Sequence, residues 1–206
     1  PSIFEPKKFK DNHFEKFLEK YPLTITHCGG FSILKGAGLI NALVKSYPDI
    51  GFVQIGSATG PKESMNLLKE IIDYKNFFFI EHLDNTFVGY YMLLSPILFF
   101  PMSKQNPYWW CTSPLKLFEY IASGRPILGS FVGSSSEVIS DQNIIYFECE
   151  NTDDLFLKLD YLKQNIAGSA NESSIEIRDS SQVLSWKERA KKIVNFIQKI
   201  DDKRQN

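Results

Sequence analysis

A chain of 206 residues, 43% hydrophobic and 23% charged, is long enough to bury a full core and lies near the upper size of one ordinary domain. Its 23 basic and 24 acidic residues leave a formal net charge of −1, so no cationic excess argues for a nucleic-acid partner. Three widely spaced cysteines, Cys28, Cys111 and Cys149, form no C-x-x-C pair and fit free thiols in a reducing compartment better than a disulfide framework.

In chain order, short apolar runs alternate with helical patterns. "LTITHCGG" ends in glycines and gives way to "LKGAGLINALVKSY", in which Leu39, Ala42, Leu43 and Tyr47 recur at helical spacing. "GFVQIG" reads as a buried strand, and "PKESMNLLKEIIDYK" as a helix opened by Pro61. The strand "FFFIEHL", the helix "TFVGYYMLL", the strand "PILFFPM" and the helix "SPLKLFEYIAS" follow, with Ser113 as N-cap, Pro114 at the first helical position and Gly124 as the stop. The strands "RPILGS" and "NIIYFE" flank a glycine- and serine-containing loop. Two helices close the chain, "TDDLFLKLDYLKQN" and "SWKERAKKIVNFIQKI". Six strands that barely alternate, separated by helices, predict a doubly wound α/β domain with a mostly parallel sheet of about six strands. The longest apolar run, "FVGYYMLLSPILFF", is too short to span a bilayer and is interrupted by Ser95 and Pro96. No secretory signal precedes the domain, and a start on Pro1 reads as a piece of a longer protein.

In such a sheet, ligands bind outside the carboxyl ends of the strands, where helix N-termini present free N–H groups. Two lysines fall on that edge: Lys35, opening the helix after the first strand, and Lys116, in the first turn of "SPLKLFEYIAS". A first-turn lysine opposes the helix dipole by a few tenths of a kcal/mol to about 1 kcal/mol. A bound anion would reverse the sign. The alternative is a surface pair between Lys116 and Glu119, worth about 0.2 to 0.5 kcal/mol. Other signals are weaker. "GSATGPKES" occupies the position of a phosphate-binding P-loop, but Gly56 and Gly60 are one residue too close and Lys62 is followed by Glu63. His27 and Cys28 are adjacent on a strand, point to opposite faces and cannot readily share a metal. His82, after the third strand, reads either as a residue near a base or as a solvated loop histidine. The last helix sets Ile193, Phe196, Ile197 and Ile200 against Lys187, Arg189, Lys191 and Lys192. Packing on the body of the protein or on a missing half is favoured over membrane-surface binding.

These residues carry a family resemblance. "SPLKLFEYIASGRPILGS" resembles the donor-binding segment of family 4 retaining glycosyltransferases of the GT-B fold. "GGFSILKGAGLINAL" resembles the family's glycine, loop, Lys-Gly and helix, and "VQIGS" its second strand. "FVGSSSEVISDQN" resembles its Gly-x-x-x-Glu loop, with Gly133 and Glu137, and "SWKERAKKIVNFI" its terminal tryptophan helix. Order and spacing hold over roughly residues 20 to 200. The resemblance implies a single nucleotide-sugar-binding domain over 1–206, with a linker-like lead-in at 1–20 and a terminal helix at 185–206. It implies retaining, metal-independent hexosyl transfer from a nucleoside-diphosphate sugar to a glycan or lipid-linked acceptor, with no cofactor beyond that donor and no metal. The implied location is cytoplasmic, or at the cytoplasmic face of a membrane with peripheral contact. The implied partner is an N-terminal acceptor-binding domain.

Carried over by residue, the resemblance places Gly30, Lys35, Gly36, Ser113, Leu115 and Lys116 on the donor diphosphate. Glu119 falls on the ribose hydroxyls, a role suited to a carboxylate that accepts two hydrogen bonds from a diol. His82, Asn106, Cys111 and Gly133 fall near the donor sugar or base. Two positions depart from the family pattern: Gly30 stands where an arginine is common, and Cys111 where a first glutamate is usual. Asn106, Tyr108, Trp109 and Trp110 lie upstream and either meet a sugar or pack at a domain junction. Three functional classes follow: a glycosyltransferase, a noncatalytic nucleotide-binding module that needs a separate acceptor-binding subunit, and a GT-B-type sugar-nucleotide epimerase.

Overall fold

The computed structural model describes residues 10–112, 115–132, 144–165 and 186–205. Helix α1 (Asn12–Lys20) leads into β1 (Thr24–Cys28), a 3-10 turn (Ile33–Lys35) and α2 (Ala37–Ser46). Next come β2 (Gly51–Ile55), α3 (Lys62–Ile71), β3 (Phe77–Ile80), α4 (Asn85–Leu94) and β4 (Ile97–Phe100). The remaining elements are α5 (Leu115–Ser123), β5 (Ile127–Phe131), β6 (Ile144–Glu148), α6 (Thr152–Asn165) and α7 (Trp186–Gln205).

Every strand pairing is parallel, and the order is β3-β2-β1-β4-β5-β6. Burial explains the unalternating strand sequences. Every position of β1, β2 and β4 is buried, whereas β3 and β6, at the sheet edges, are partly exposed. Successive residues still face opposite ways. Cys28, Val53, Ile55, Leu98 and Phe100 pack with Phe14 of α1, Met92 of α4 and Leu117 and Tyr120 of α5. Ile25, Phe52, Ile97 and Phe99 pack on the other face with Leu43 of α2, Leu68 of α3 and Leu159 of α6. This is the doubly wound α/β fold expected from the sequence, and its order reverses between β1 and β4.

Within the segment read as a linker-like lead-in, α1 buries Phe14 completely and is capped by Asp11, whose Oδ1 accepts from the His13 and Phe14 amides. Asp11 Oδ2 also accepts the hydroxyl of Tyr91 on α4, at 2.7 Å. Gly124 ends α5 as predicted; the capping reading of Ser113 and Pro114 lies outside the described residues. Of the two packings expected for the terminal helix, on the body or on a missing half, the first does not occur. Ile193, Val194, Phe196 and Ile197 are half or more exposed, so this apolar face does not pack on the body. The reason is geometric: both faces of the sheet are already covered by the preceding helices. Among the described residues, no helix is long and apolar enough to cross a membrane.

Candidate functional site

The strand order places a crevice at the carboxyl ends of β1 and β4. These strands pair only at Ile25 with Ile97 and Thr26 with Leu98 before they diverge, whereas β1 stays paired with β2 through Cys28 and Ile55. The Gly29 amide bonds back to Ile55 O of β2 at 2.8 Å, so the Cys28 amide, one residue earlier, points to the β4 side, where no strand partner remains. Tyr120 supplies one. Its hydroxyl accepts from Cys28 N at 2.7 Å and is fully buried. A side chain of α5 thereby ties that helix to the end of β1.

The turn after β1 is held from the opposite face. Gln54 of β2, fully buried, donates through Nε2 to the carbonyls of Gly29 (2.7 Å) and Gly56 (3.0 Å). Its Oε1 can then only accept, so the 2.8 Å contact with His27 Nδ1 assigns the imidazole proton to Nδ1. Phe31 exchanges backbone hydrogen bonds with the 57–59 segment. Gly30 lies so close that a Cβ there would come within 2.5 Å of Thr59 Oγ1. This contact explains why glycine occupies the position where the family resemblance leads one to expect arginine. The segment that superficially resembles a P-loop thus braces the first turn.

Lys35 differs in detail from the sequence expectation. It closes the 3-10 turn rather than opening the helix, and Gly36 follows with φ of 78°. A side chain at Gly36 would meet both a disfavoured backbone conformation and Pro101 Cβ, 2.7 Å from an added Cβ. Because Pro101 directly follows β4, Gly36 sets the start of α2 against the crevice. Lys116 is the second residue of α5 and pairs with Glu119 across 2.6 Å. The surface-pair alternative is therefore realised in this structure, with both side chains about one-third exposed.

The two lysines converge electrically on β1. His27 is held down at about 4, chiefly by burial, with the charges of Lys35 and Lys116 pushing the same way and the Gln54 hydrogen bond opposing them. Burial pushes the Cys28 thiol up to about 12, while Lys116 pulls it down. His27 is thus a neutral, buried neighbour of two cations at the switch point, and Cys28 is an inert thiol.

Other candidates are spread along the same edge. Leu115, 61% exposed, begins α5. His82 is exposed after β3, two strands from β1. Asn106 Oδ1 accepts the Tyr108 amide at 3.0 Å, and the exposed Cys111 thiol contacts Tyr108 O at 3.6 Å. Ser113 and Gly133 lie outside the described residues, as does Glu137. Among the described residues, no group of three His, Cys, Asp or Glu side chains is arranged to hold a metal. Sequence reasoning passed over Gln54 and Tyr120. A lone glutamine inside the apolar run "GFVQIG" was the available signal for the first; the second is an ordinary core position by pattern.

No family model matches the chain. Over 109 residues it is 33% identical to TuaH of Bacillus subtilis strain 168, provisionally described as a teichuronic acid biosynthesis glycosyltransferase, covering 52% of this chain and 25% of TuaH. Among solved structures, it resembles sucrose-phosphate synthase from Thermosynechococcus elongatus with a TM-score of 0.69 at 17% identity, over 87% of this chain and 46% of the synthase. Anabaena HepE in complex with UDP gives 0.70 at 12% identity, over 93% and 54%. The C-terminal domain of the group 1 glycosyl transferase LpcC from Francisella tularensis gives 0.63 at 20% identity, over 86% and 95%. The chain therefore has the Rossmann-like α/β fold found in GT-B glycosyltransferases. It spans a quarter of TuaH, about half of the synthase and HepE, and nearly all of the LpcC domain.

Proposed function

We propose that this chain is the donor-binding part of a family 4 retaining glycosyltransferase. It holds the nucleoside diphosphate of a sugar donor for metal-independent hexosyl transfer to a glycan or lipid-linked acceptor. The observation that carries the reading is that Lys35, at the end of the turn after β1, and Lys116, on the helix that Tyr120 fastens to the end of β1, both belong to the carboxyl edge where β1 and β4 diverge. Two cations beside a strand divergence, with the start of α2 nearby, suit a diphosphate. They would stabilise the charge that develops on the leaving nucleoside diphosphate as the glycosidic bond breaks. By the family resemblance, Gly30, Gly36, Ser113 and Leu115 are assigned to the same diphosphate, and Glu119 to the ribose. His82, Asn106, Cys111 and Gly133 are assigned to the surroundings of the base or sugar. The acceptor is held by a separate N-terminal domain, so the chain alone binds donor without completing transfer. The reading carries with it a cytoplasmic location, with any membrane contact made through α7. The UDP complexes of HepE and the match to TuaH support a nucleotide-sugar donor.

Glu119 gives the reading its sharpest test, because a surface pair and a ribose ligand respond differently to Glu119→Gln. The substitution keeps shape and removes charge. It should weaken binding of a nucleoside diphosphate about tenfold, as loss of a charge-assisted hydrogen bond does, and barely affect inorganic pyrophosphate. Titration calorimetry of both ligands with chelator present decides the matter. Equal effects on the two ligands would remove the ribose role.

A further inference from the structure

A groove of about 520 Å³ lies at the carboxyl ends of β5 and β6, bordered by the turn after β4. Its walls include Trp109, Phe131 and Tyr146. Phe131 is 52% exposed although it ends a core strand. Tyr146 meets it edge-on, with ring centroids 5.5 Å apart at 89°, an arrangement that does not stack the two ring faces. The polar heads alternate in sign. Lys104 and Lys158 line the groove together with Glu148 and Asp154.

The frame of the groove is built in advance. Glu150 holds φ of 66°, an uncommon conformation for a residue with a side chain. Its Oε1 accepts from Ser103 Oγ at 2.5 Å and from Lys104 N at 2.9 Å. The Cys149 thiol donates to Met102 O at 3.4 Å. These contacts staple the turn after β4 to the turn after β6. They set Lys104 over the Trp109 ring, 6.0 Å from its centroid.

The lining selects a class of ligand. The two lysines and two carboxylates leave the lining no net charge to draw an ion, and a purely apolar molecule would offer its polar groups no hydrogen bond. A neutral pyranose presents an apolar C–H face for an aromatic wall and a rim of hydroxyls that both donate and accept. We propose that this groove is a second carbohydrate site, which binds a neutral pyranose unit of a glycan independently of the nucleotide. Its β6 wall lies roughly 10 Å from β4 along the sheet edge, two strand spacings away, while Lys104 and Trp109 reach it from the turn after β4. The site gives Trp109 a sugar-facing role outside the diphosphate crevice.

Saturation-transfer NMR with neutral methyl pyranosides and short neutral oligosaccharides tests this on the chain as it stands. Binding is expected in the millimolar range. Saturating UDP should leave it unchanged, and methyl glucuronide should bind at least about tenfold more weakly. Phe131→Ala and Trp109→Ala should each weaken binding about tenfold or more, the scale of losing one stacking platform. Because Trp109 also touches the core, the exposed Phe131 variant decides if the other fails to fold. No transfer from any neutral pyranoside at roughly 10 mM would overturn the proposal. So would competition by UDP, equal binding of the uronide or undiminished binding to the Phe131 variant. Nucleotide affinity, measured separately on Lys116→Ala, keeps failure here distinct from failure of the donor-site reading.

Discussion

His27 sits where its charged form is expensive. Buried beside Lys35 and Lys116, it is held near 4 against an ordinary value of 6.5, so the unfolded chain binds the extra proton first. Stability at this residue is therefore complete above about pH 6.5 and falls as the pH drops towards 4, by about 3 kcal/mol at most. Urea unfolding at a series of pH values should show that slope. His27→Asn, which retains a donor for Gln54, should flatten it. An unchanged slope in the variant would mean that another group carries the titration. Asp49 and Glu70, whose carboxyls are lowered by their lysine partners, begin to act only as the pH falls towards the ordinary carboxylate range, so the upper part of the window, just below pH 6.5, isolates His27.

At the scale of elements, the crevice depends on how α5 and the turn after β1 are fastened. Tyr120→Phe removes a hydroxyl that satisfies a buried strand amide, and should cost about 1 to 3 kcal/mol. Because the same helix carries Lys116 and Glu119, nucleotide binding should weaken further than that of a control variant with equal destabilisation. Denaturation and titration together check this, and a purely proportional loss would reduce Tyr120 to packing. This fastening also marks how far the sequence could be read. All six strands were legible because buried parallel strands must be apolar. Lys35 and Lys116 were legible as cations at an edge where the helix dipole disfavours them. The Tyr120 and Gln54 contacts were not, since each joins residues of different elements and neither disturbs a local period. Lys35 was misplaced by a turn because Gly36, inside the run read as helical, separates a 3-10 turn from α2.

Across the whole molecule, two surfaces differ from an ordinary soluble exterior. The first is α7, which leaves Ile193, Val194, Phe196 and Ile197 exposed in one stretch. An uncovered apolar face of this kind drives self-association. Sedimentation should show mass rising with concentration, and Phe196→Asp with Ile197→Asp should abolish the rise; a monomer at all concentrations would show that the face is covered in solution. The second is the crevice, on which the account rests. Calorimetric titration of uridine, guanosine and adenosine diphosphates into the wild type, Lys35→Ala, Lys116→Ala and Lys62→Ala measures it directly. Binding of at least one diphosphate should be salt-sensitive and independent of divalent metal. Each crevice-lysine substitution should weaken it about tenfold to a hundredfold, while Lys62→Ala leaves it unchanged. No binding at about millimolar concentration, or an equal loss from Lys62→Ala, would contradict the assignment of the crevice as a diphosphate site.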